Sequence, residues 1–339
     1  MLIEEDKSLK LLNTFGINAF AKYFVEIDSS DSAQSFFAER KFNSEKRLIL
    51  GGGSNILFTQ NFDGIVIKNN ILGIEIIKED EEYVWVKASA GTIWHQLVLY
   101  AVANNWGGIE NLSLIPGLCG AAPMQNIGAY GVELKDVFIS LEALNLESNQ
   151  IQLFDHADCE FGYRESVFKN KSKNQFLILS ITLKLHKKPT YNISYGAIET
   201  TLEHMKIMEP TVKSISDAVI QIRSSKLPNP AELGNAGSFF KNPEIPKEQH
   251  EQLQLQYPLL PSYKGTAFNH LKIPAGWLIE QCGWKGKVVG NTGSHKFQAL
   301  VLVNYGNATG DEIFKLAQDI IASVKEKFGV VLTPEVNLV

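Results

Sequence analysis

Three side chains stand in settings that could support chemistry: Arg164 in FGYRESVF, Ser238 in NAGSFFKNP and Glu335 in TPEV. A guanidinium bracketed by aromatic residues suits a carboxylate or a developing oxyanion, because its planar fork binds two oxygens at once. An Arg164–Glu165 surface pair would explain the same letters. Ser238 follows a glycine and precedes two phenylalanines, a setting in which its hydroxyl could face a dry pocket. A turn or a helix cap is the ordinary use of a lone serine, and no G-x-S-x-G surrounds this one to make a nucleophile elbow. Glu335 by itself reads as a solvated carboxylate.

Two small-residue stretches suggest a ligand rather than a reaction. Gly51-Gly52-Gly53-Ser54-Asn55 follows the apolar run RLIL, and residues 115–131 read IPGLCGAAPMQNIGAYG, with four glycines, three alanines and no charge. Glycine lets backbone N–H groups converge on an anion without side-chain obstruction. The first stretch is neither a P-loop nor a dinucleotide fingerprint, since no Gly-Lys-Ser/Thr and no G-x-G-x-x-G is present. A tight turn and an anion cradle both fit it. Two such loops in one half of the chain suggest a cradle for a long polyphosphate ligand such as a dinucleotide; a packed structural crossover is the alternative.

Composition narrows the partners. The 339 residues are 45% hydrophobic and 20% charged with a net charge of -5, a balance that disfavours nucleic acid as the main partner. No apolar run reaches bilayer length, and the acidic start MLIEEDKSLK lacks the apolar core of a signal peptide. Three cysteines at 119, 159 and 282 form neither a disulfide framework nor a zinc spacing. His156 and Cys159 have no second pair, so no metal is expected. A cytoplasmic, reduced protein is expected.

The elements that must position these groups are mixed. Strands are expected at RLIL, GIVIKN, GIEIIK, YVWVKAS and FLILSITLKL, with VFISLEALNLESNQIQLF forming two around a polar turn. Thr92 is expected to cap a helix from Ile93 to Asn104, with Trp94, Leu97, Val98 and Ala101 on one face. In the second half, Ser214 or Ser216 caps a helix that Pro228 and Pro230 stop. Helices follow at Lys247 to Tyr257 and Ala275 to Cys282. Thr309 and Glu312 form a capping box opening a helix with Ile313, Leu316, Ala317, Ile320, Val324 and Phe328 on one face. VVLTPEV closes the chain as a strand. The pattern is α+β with segregated elements, and a boundary is expected between Leu185 and Ser214.

Taken in order, NTFGI (13–17), LGGGSNILF (50–58), IPGLCGAAPMQNIGAYGVEL (115–134), FGYRESVFK (161–169), RSSKLPNP (223–230), GNAGSFFKNP (234–243), PAGWLIEQCGWKG (274–286), HKFQALVLVN (295–304) and PEV (334–336) resemble the UDP-N-acetylenolpyruvoylglucosamine reductase family. The segments run through nearly the whole chain, and SYG at 194–196 resembles the tyrosine-bearing loop of its longer, type I members. The resemblance implies a two-subdomain FAD-binding region of the vanillyl-alcohol-oxidase type and a C-terminal substrate-binding domain. The implied spans are 1–68 and 69–213 for the two FAD subdomains, 214–330 for the substrate domain and 331–339 for a last strand carrying Glu335.

It also implies an activity: NADPH reduces bound FAD, and hydride then passes to the enolpyruvyl group of UDP-N-acetylglucosamine enolpyruvate. By resemblance Ser238 is the proton donor, and Arg164 and Glu335 stabilise the carboxylate end. Gly51, Gly53, Ser54, Asn55, Pro116, Gly117, Ala121, Ala122, Gln125, Asn126 and Gly128 match FAD contacts. Tyr195, Lys226, Asn242 and Gln298 match substrate contacts. A monomer with no membrane or nucleic-acid partner is expected. Two departures stand out: Ala121-Ala122 replaces the Ser-Ser of some members, and Asn337 stands where some place an arginine near the substrate phosphates. The charge-assisted contact is lost there, which shifts binding toward Lys226.

Overall fold

The protein is described by a computed structural model covering residues 1–195 and 197–339. Its contacts divide the chain into two compact units, each assembled from separate stretches. The first comprises Met1–Lys7, Ala21–Gly52 and Asp63–Ser224; the second comprises Ser8–Phe20, Gly53–Phe62 and Ser225–Val339. The GGGSN stretch is therefore divided between Gly52 and Gly53. Among the described residues no helix is long and apolar enough to cross a membrane.

The first unit holds a five-stranded sheet in the order Ile151–Asp155, Phe138–Asn145, Phe176–His186, Tyr83–Ser89, Ile74–Glu79, with every neighbouring pair antiparallel. The central strand FLILSITLKLH is buried along most of its length, as a near-continuous apolar run demands when both faces are covered. The edge strand Ile74–Glu79 is mostly exposed and carries Glu75, Lys78 and Glu79, charges that blunt pairing with another chain. Val84, Val86 and Ala88 alternate inward and join Trp94, Leu97, Val98 and Ala101 of the helix Trp94–Ala103 in one core. That is the helix face expected from its spacing. A second, four-stranded sheet runs Ile3–Ser8, Phe20–Ile27, Phe62–Asn69, Arg47–Leu50, the last two parallel. The Arg47–Leu50 strand delivers the chain to Gly51.

The second unit has an antiparallel sheet in the order Gly234–Ser238, Val301–Asn304, Thr292–Ser294, Val288–Val289. The helix Gly310–Phe328 contacts its two central strands and buries Ile313, Leu316, Ala317, Ile320, Val324 and Phe328, the expected face. Burial of each large aliphatic side chain contributes roughly 1.5–3 kcal/mol. The capping box forms as expected: Glu312 N donates to Thr309 Oγ1 at 3.2 Å and Thr309 N donates to Glu312 Oε2 at 2.7 Å. Gly329, at φ +66°, ends the helix.

Three local expectations fail. Thr92 does not cap its helix; its hydroxyl donates to Gly73 O at 3.0 Å and accepts from Gly73 N at 3.2 Å. The helix expected from Ser214 or Ser216 begins earlier, at Val212. Ser214 exchanges bonds with Thr211 (2.8 and 3.1 Å), while the buried Ser216 hydroxyl pairs with that of Ser113 at 2.8 Å. The closing strand expected over VVLTPEV (330–336) does not form: Pro334 makes an isolated bridge to Phe240, and a short strand, Asn337–Leu338, follows it parallel to Ile56–Leu57.

Two outcomes are expected from these contacts. Thr309→Ala removes a helix cap and should lower stability by about 1 kcal/mol, read as a lower urea midpoint at unchanged slope. The second concerns His95, whose Nδ1 accepts from Leu114 N at 2.9 Å, holding Leu114 at φ +58°. Burial, and then the charge of Arg223, push the His95 pKa below the ordinary 6.5. The folded state therefore binds fewer protons than the unfolded chain once pH falls below about 6.5. The neutral ring's contribution is complete above that pH and is lost as pH falls through the folded-state value. Denaturation at pH 7.5 and 5.5 should show a smaller pH dependence in His95→Gln than in the parent; equal dependences would contradict the assignment.

Candidate functional site

The two glycine-rich stretches meet in the first unit. A Cβ on Gly52 would lie 3.2 Å from the Gly117 Cα, and one on Gly51 would lie 3.7 Å from the Ala121 Cβ. The 115–131 loop is sewn to the segment before the Trp94–Ala103 helix. Trp94 N donates to Gly117 O at 3.0 Å, Cys119 N to Thr92 O at 2.8 Å and Gly120 N to Ala90 O at 2.9 Å. Gly120 is required by this approach, since its Cβ would stand 2.5 Å from that of Ala90. Lys68, missed by the sequence reading, donates from Nζ to Gly51 O at 2.6 Å, and burial lowers its pKa. Backbone amides, small side chains and one nearby cation make a donor set suited to a phosphate-bearing cofactor. The thiols take no part: burial pushes Cys119 far up and Cys159 to about 12.

Within this loop the expected residues fall into different environments. Pro116 and Ala121 are exposed, Ala122 and Asn126 are buried, and Gly117, Gln125 and Gly128 are partly covered. Asn126 occupies a left-handed conformation, φ +42°, and its side chain is committed to the fold. Its Nδ2 donates to Gly162 O at 3.0 Å and Glu133 Oε2 at 3.2 Å, while Oδ1 accepts from Lys135 N at 3.0 Å. Any contact it makes to a cofactor would use the backbone.

Arg164 is tied to the same loop, its Nη2 donating to Gly128 O at 2.8 Å. Its backbone is left-handed at φ +57°, and its guanidinium stands 5.4 Å from the centre of the Tyr163 ring. Arg223 is a further cation that motif reading did not single out. It bonds to the Tyr130 phenol and is close enough to Arg164 for the Arg164 charge to lower its pKa. Burial is the main cause of its lowered pKa and of the raised pKa of Tyr130. Its place at the end of an ordinary amphipathic helix, Val212–Lys226, offers no local signal. Tyr195 is half-exposed, its Cβ close to where a side chain on Gly131 would lie (3.2 Å). Gly196 of the SYG segment lies outside the described residues.

Ser238 and Glu335 both belong to the second unit, whose backbone ties Glu335 to the residue that follows Ser238. The pairing of Gly234–Ser238 with Val301–Asn304 is interrupted between Asn235 and Ser238. Gly237 takes φ +68° there, and its N–H donates to Asn235 Oδ1 at 2.9 Å. Such a bulge re-aims the residues after it. Phe239 and Phe240 are buried, whereas Ser238 is exposed rather than enclosed in a dry pocket. Glu335 N donates to Phe239 O at 2.7 Å, next to Ser238. Asn55 grips the same segment: its Nδ2 donates to Glu335 O at 3.3 Å, and its own carbonyl accepts from Asn337 N at 3.1 Å and Asn337 Nδ2 at 2.9 Å.

Gly53 and the NTFGI motif explain one another. Gly53 sits at φ +62°, where a Cβ would meet Leu12 O at 2.0 Å, and its carbonyl accepts from Thr14 N at 3.1 Å. Ser54 follows, partly covered. Asn242 and Gln298 converge on the start of the helix Ala275–Gln281. Asn242 Oδ1 accepts from Ala275 N at 2.9 Å, and Gln298 Oε1 lies 3.0 Å from where a Cβ on Gly276 would be. Lys226 is exposed, and the buried His295 ring bonds to its backbone.

Two family models match the chain: an FAD binding domain over residues 21–153 and the UDP-N-acetylenolpyruvoylglucosamine reductase C-terminal domain over residues 229–339. A UDP-N-acetylenolpyruvoylglucosamine reductase of Flavobacterium johnsoniae is 51% identical over all of both chains, and one of Amoebophilus asiaticus is 50% identical over all of both. The crystal structure of the Thermus caldophilus reductase shares the fold, with a TM-score of 0.68 at 22% identity over 100% of this chain and 99% of that one. The chain belongs to the UDP-N-acetylenolpyruvoylglucosamine reductase family and is an FAD-dependent oxidoreductase.

Proposed function

We propose that this protein reduces UDP-N-acetylglucosamine enolpyruvate to UDP-N-acetylmuramate, a peptidoglycan precursor, with NADPH as the electron source. The observation that supports the reading is the hydrogen bond from Glu335 N to Phe239 O, the residue after Ser238, in a chain whose full-length relatives bear that enzyme's name. FAD, when bound, supplies two-electron chemistry linking NADPH to the methylene carbon of the enolpyruvyl ether. The residues that would hold it are Gly51, Gly53, Ser54, Asn55, Pro116, Gly117, Ala121, Ala122, Gln125, Asn126 and Gly128. The pairing of two nearly side-chain-free loops beside Lys68 supports their fit to its pyrophosphate.

Hydride addition to the methylene carbon drives the pi electrons toward the adjacent carboxylate, which then carries enolate-like charge. Arg164 stabilises that charge, with the neighbouring Arg223 adding to the positive potential. Glu335 helps only as an acid or sharing a proton, since a bare carboxylate would oppose the developing charge. The ether-bearing carbon must then gain a proton, and Ser238 gives it. A serine is a weak acid, matched to the strongly basic carbon it protonates. Its exposed hydroxyl can be reprotonated from water after each turnover. Lys226, Asn242, Gln298 and Tyr195 are assigned to the sugar nucleotide and its diphosphate.

Ser238→Ala separates the two half-reactions. NADPH should bleach the flavin at the parent's rate, while reoxidation by the enolpyruvyl sugar nucleotide slows by roughly 10²–10⁴-fold. Both are read at the flavin absorption band by stopped flow. Slow bleaching with normal reoxidation would remove Ser238 from the proton step.

A further inference from the structure

We infer that Asn192 is a positioning residue for Tyr195, tying the segment that precedes the tyrosine to the Tyr130–Gly131 corner so that the phenol is set for a nucleoside diphosphate. The inference rests on the reading of Tyr195 as a sugar-nucleotide contact. Its geometry lies wholly within the first unit.

The tie has two strands. Asn192 Nδ2 donates to Gly131 O at 3.0 Å. In return, Asn111 Nδ2 donates to Asn192 O at 2.8 Å and to Tyr130 O at 3.0 Å. Asn111 is 1% exposed, so one buried amide joins two segments some sixty residues apart in the chain. Both of its N–H groups are spent on this bridge, and its Oδ1 has no hydrogen-bond partner among the described residues.

Gly131 makes the approach possible. At φ +79°, any Cβ it carried would lie 2.9 Å from Asn192 Nδ2 and 3.2 Å from the Tyr195 Cβ. Tyr130, before it, is also left-handed at φ +50°. The corner thus presents a carbonyl to Asn192 and a bare backbone to Tyr195. The residues flanking Asn192 work the other way. Tyr191 and Ile193 pack against the apolar cluster of Ile198, Leu202, Ile215 and Val219. Alternation along the segment sends apolar side chains into that cluster and the amide to Gly131. Tyr195, with half its surface exposed, depends on these upstream anchors for its position. An exposed phenol on a segment anchored this way offers a ring face and a hydroxyl to a nucleotide, and the anchoring lowers the cost of ordering that segment on binding.

The test uses the FAD-loaded protein and UDP as the probe. Hydrogen exchange of the 191–195 amides is followed without ligand in the parent and in Asn192→Ala. UDP affinity is measured by calorimetry for the parent, Asn192→Ala, Tyr195→Ala and the double variant. Asn192→Ala should speed exchange about tenfold and weaken UDP three- to tenfold, as expected for one lost hydrogen bond, roughly. In the Tyr195→Ala background the same change should leave UDP affinity unaltered, because the effect passes through the tyrosine. Asn192→Asp, which keeps the shape but loses the donor, should reproduce both results if the alanine variant folds poorly. Unchanged exchange would overturn the tie. Equal losses of affinity in both backgrounds would overturn its action through Tyr195. Faster exchange with a silent Tyr195→Ala would overturn the nucleotide role of the tyrosine while leaving the tie itself intact.

Discussion

The first unit is organised by a contact between backbones with nothing in between. Gly52 lies on Gly117, and Gly120 lies on Ala90, at separations that leave no room for an added Cβ without displacement. Packing is usually carried by side chains, which adapt by changing rotamer. Backbone on backbone has no such freedom, so this contact transmits position rather than absorbing it. The strand Arg47–Leu50 on one side and the Trp94–Ala103 helix on the other are thereby fixed against the 115–131 loop. A cofactor held by main-chain amides needs that stiffness, because those donors cannot be re-aimed after it binds.

Such a loop has conformational costs. Leu114, Asn126 and Tyr130 all have positive φ without being glycine, each an expense of roughly 1–2 kcal/mol for an L-residue. The structure places a side-chain tie at every one of them. His95 holds the Leu114 N–H, the Asn126 amide holds three partners around itself, and Asn111 holds the Tyr130 carbonyl. Arg164 then closes the far end by gripping Gly128 O. The residue assigned to the substrate carboxylate is thus also part of the frame that shapes the cofactor loop, so loss of its charge and loss of its grip are separable effects of one substitution.

Legibility in the sequence follows the range of the interaction. The Thr309–Glu312 box was readable because its partners are three residues apart and nothing else competes for them. Thr92 offered the same local signal and failed because Gly73, distant in the chain, takes its hydroxyl. The strand segments, the helix faces of 94–101 and 313–328 and the small-residue loops were visible as patterns of period and composition. Lys68, His95, Arg223 and Asn192 were not, since each is an ordinary residue in an ordinary setting whose partner lies elsewhere in the fold. The setting of Ser238 was hidden for a related reason. GSFF points to an enclosed hydroxyl only if consecutive residues share one environment, and after the register shift at Gly237 Ser238 is exposed while Phe239 and Phe240 are buried.

Asn337 shows how a departure from family pattern changes meaning once its partner is known. As a sequence difference it removes a positive charge expected near the substrate phosphates. In the structure its side chain and its backbone N–H both bond to the Asn55 carbonyl, and the Asn55 amide returns a bond to Glu335 O. Three hydrogen bonds therefore fasten the two residues flanking Val336, itself 4% exposed, to the loop after Gly53. An arginine at 337 could keep the backbone bond and supply charge, but its longer side chain would have to leave the Asn55 carbonyl to reach a phosphate. The asparagine thus favours a fixed Glu335 segment over attraction for the ligand's charge. On the reading proposed for Glu335, fixed geometry is worth more to the carboxyl group than one more cation is to a diphosphate, because a hydrogen bond depends steeply on distance and angle whereas charge attraction falls off slowly with distance.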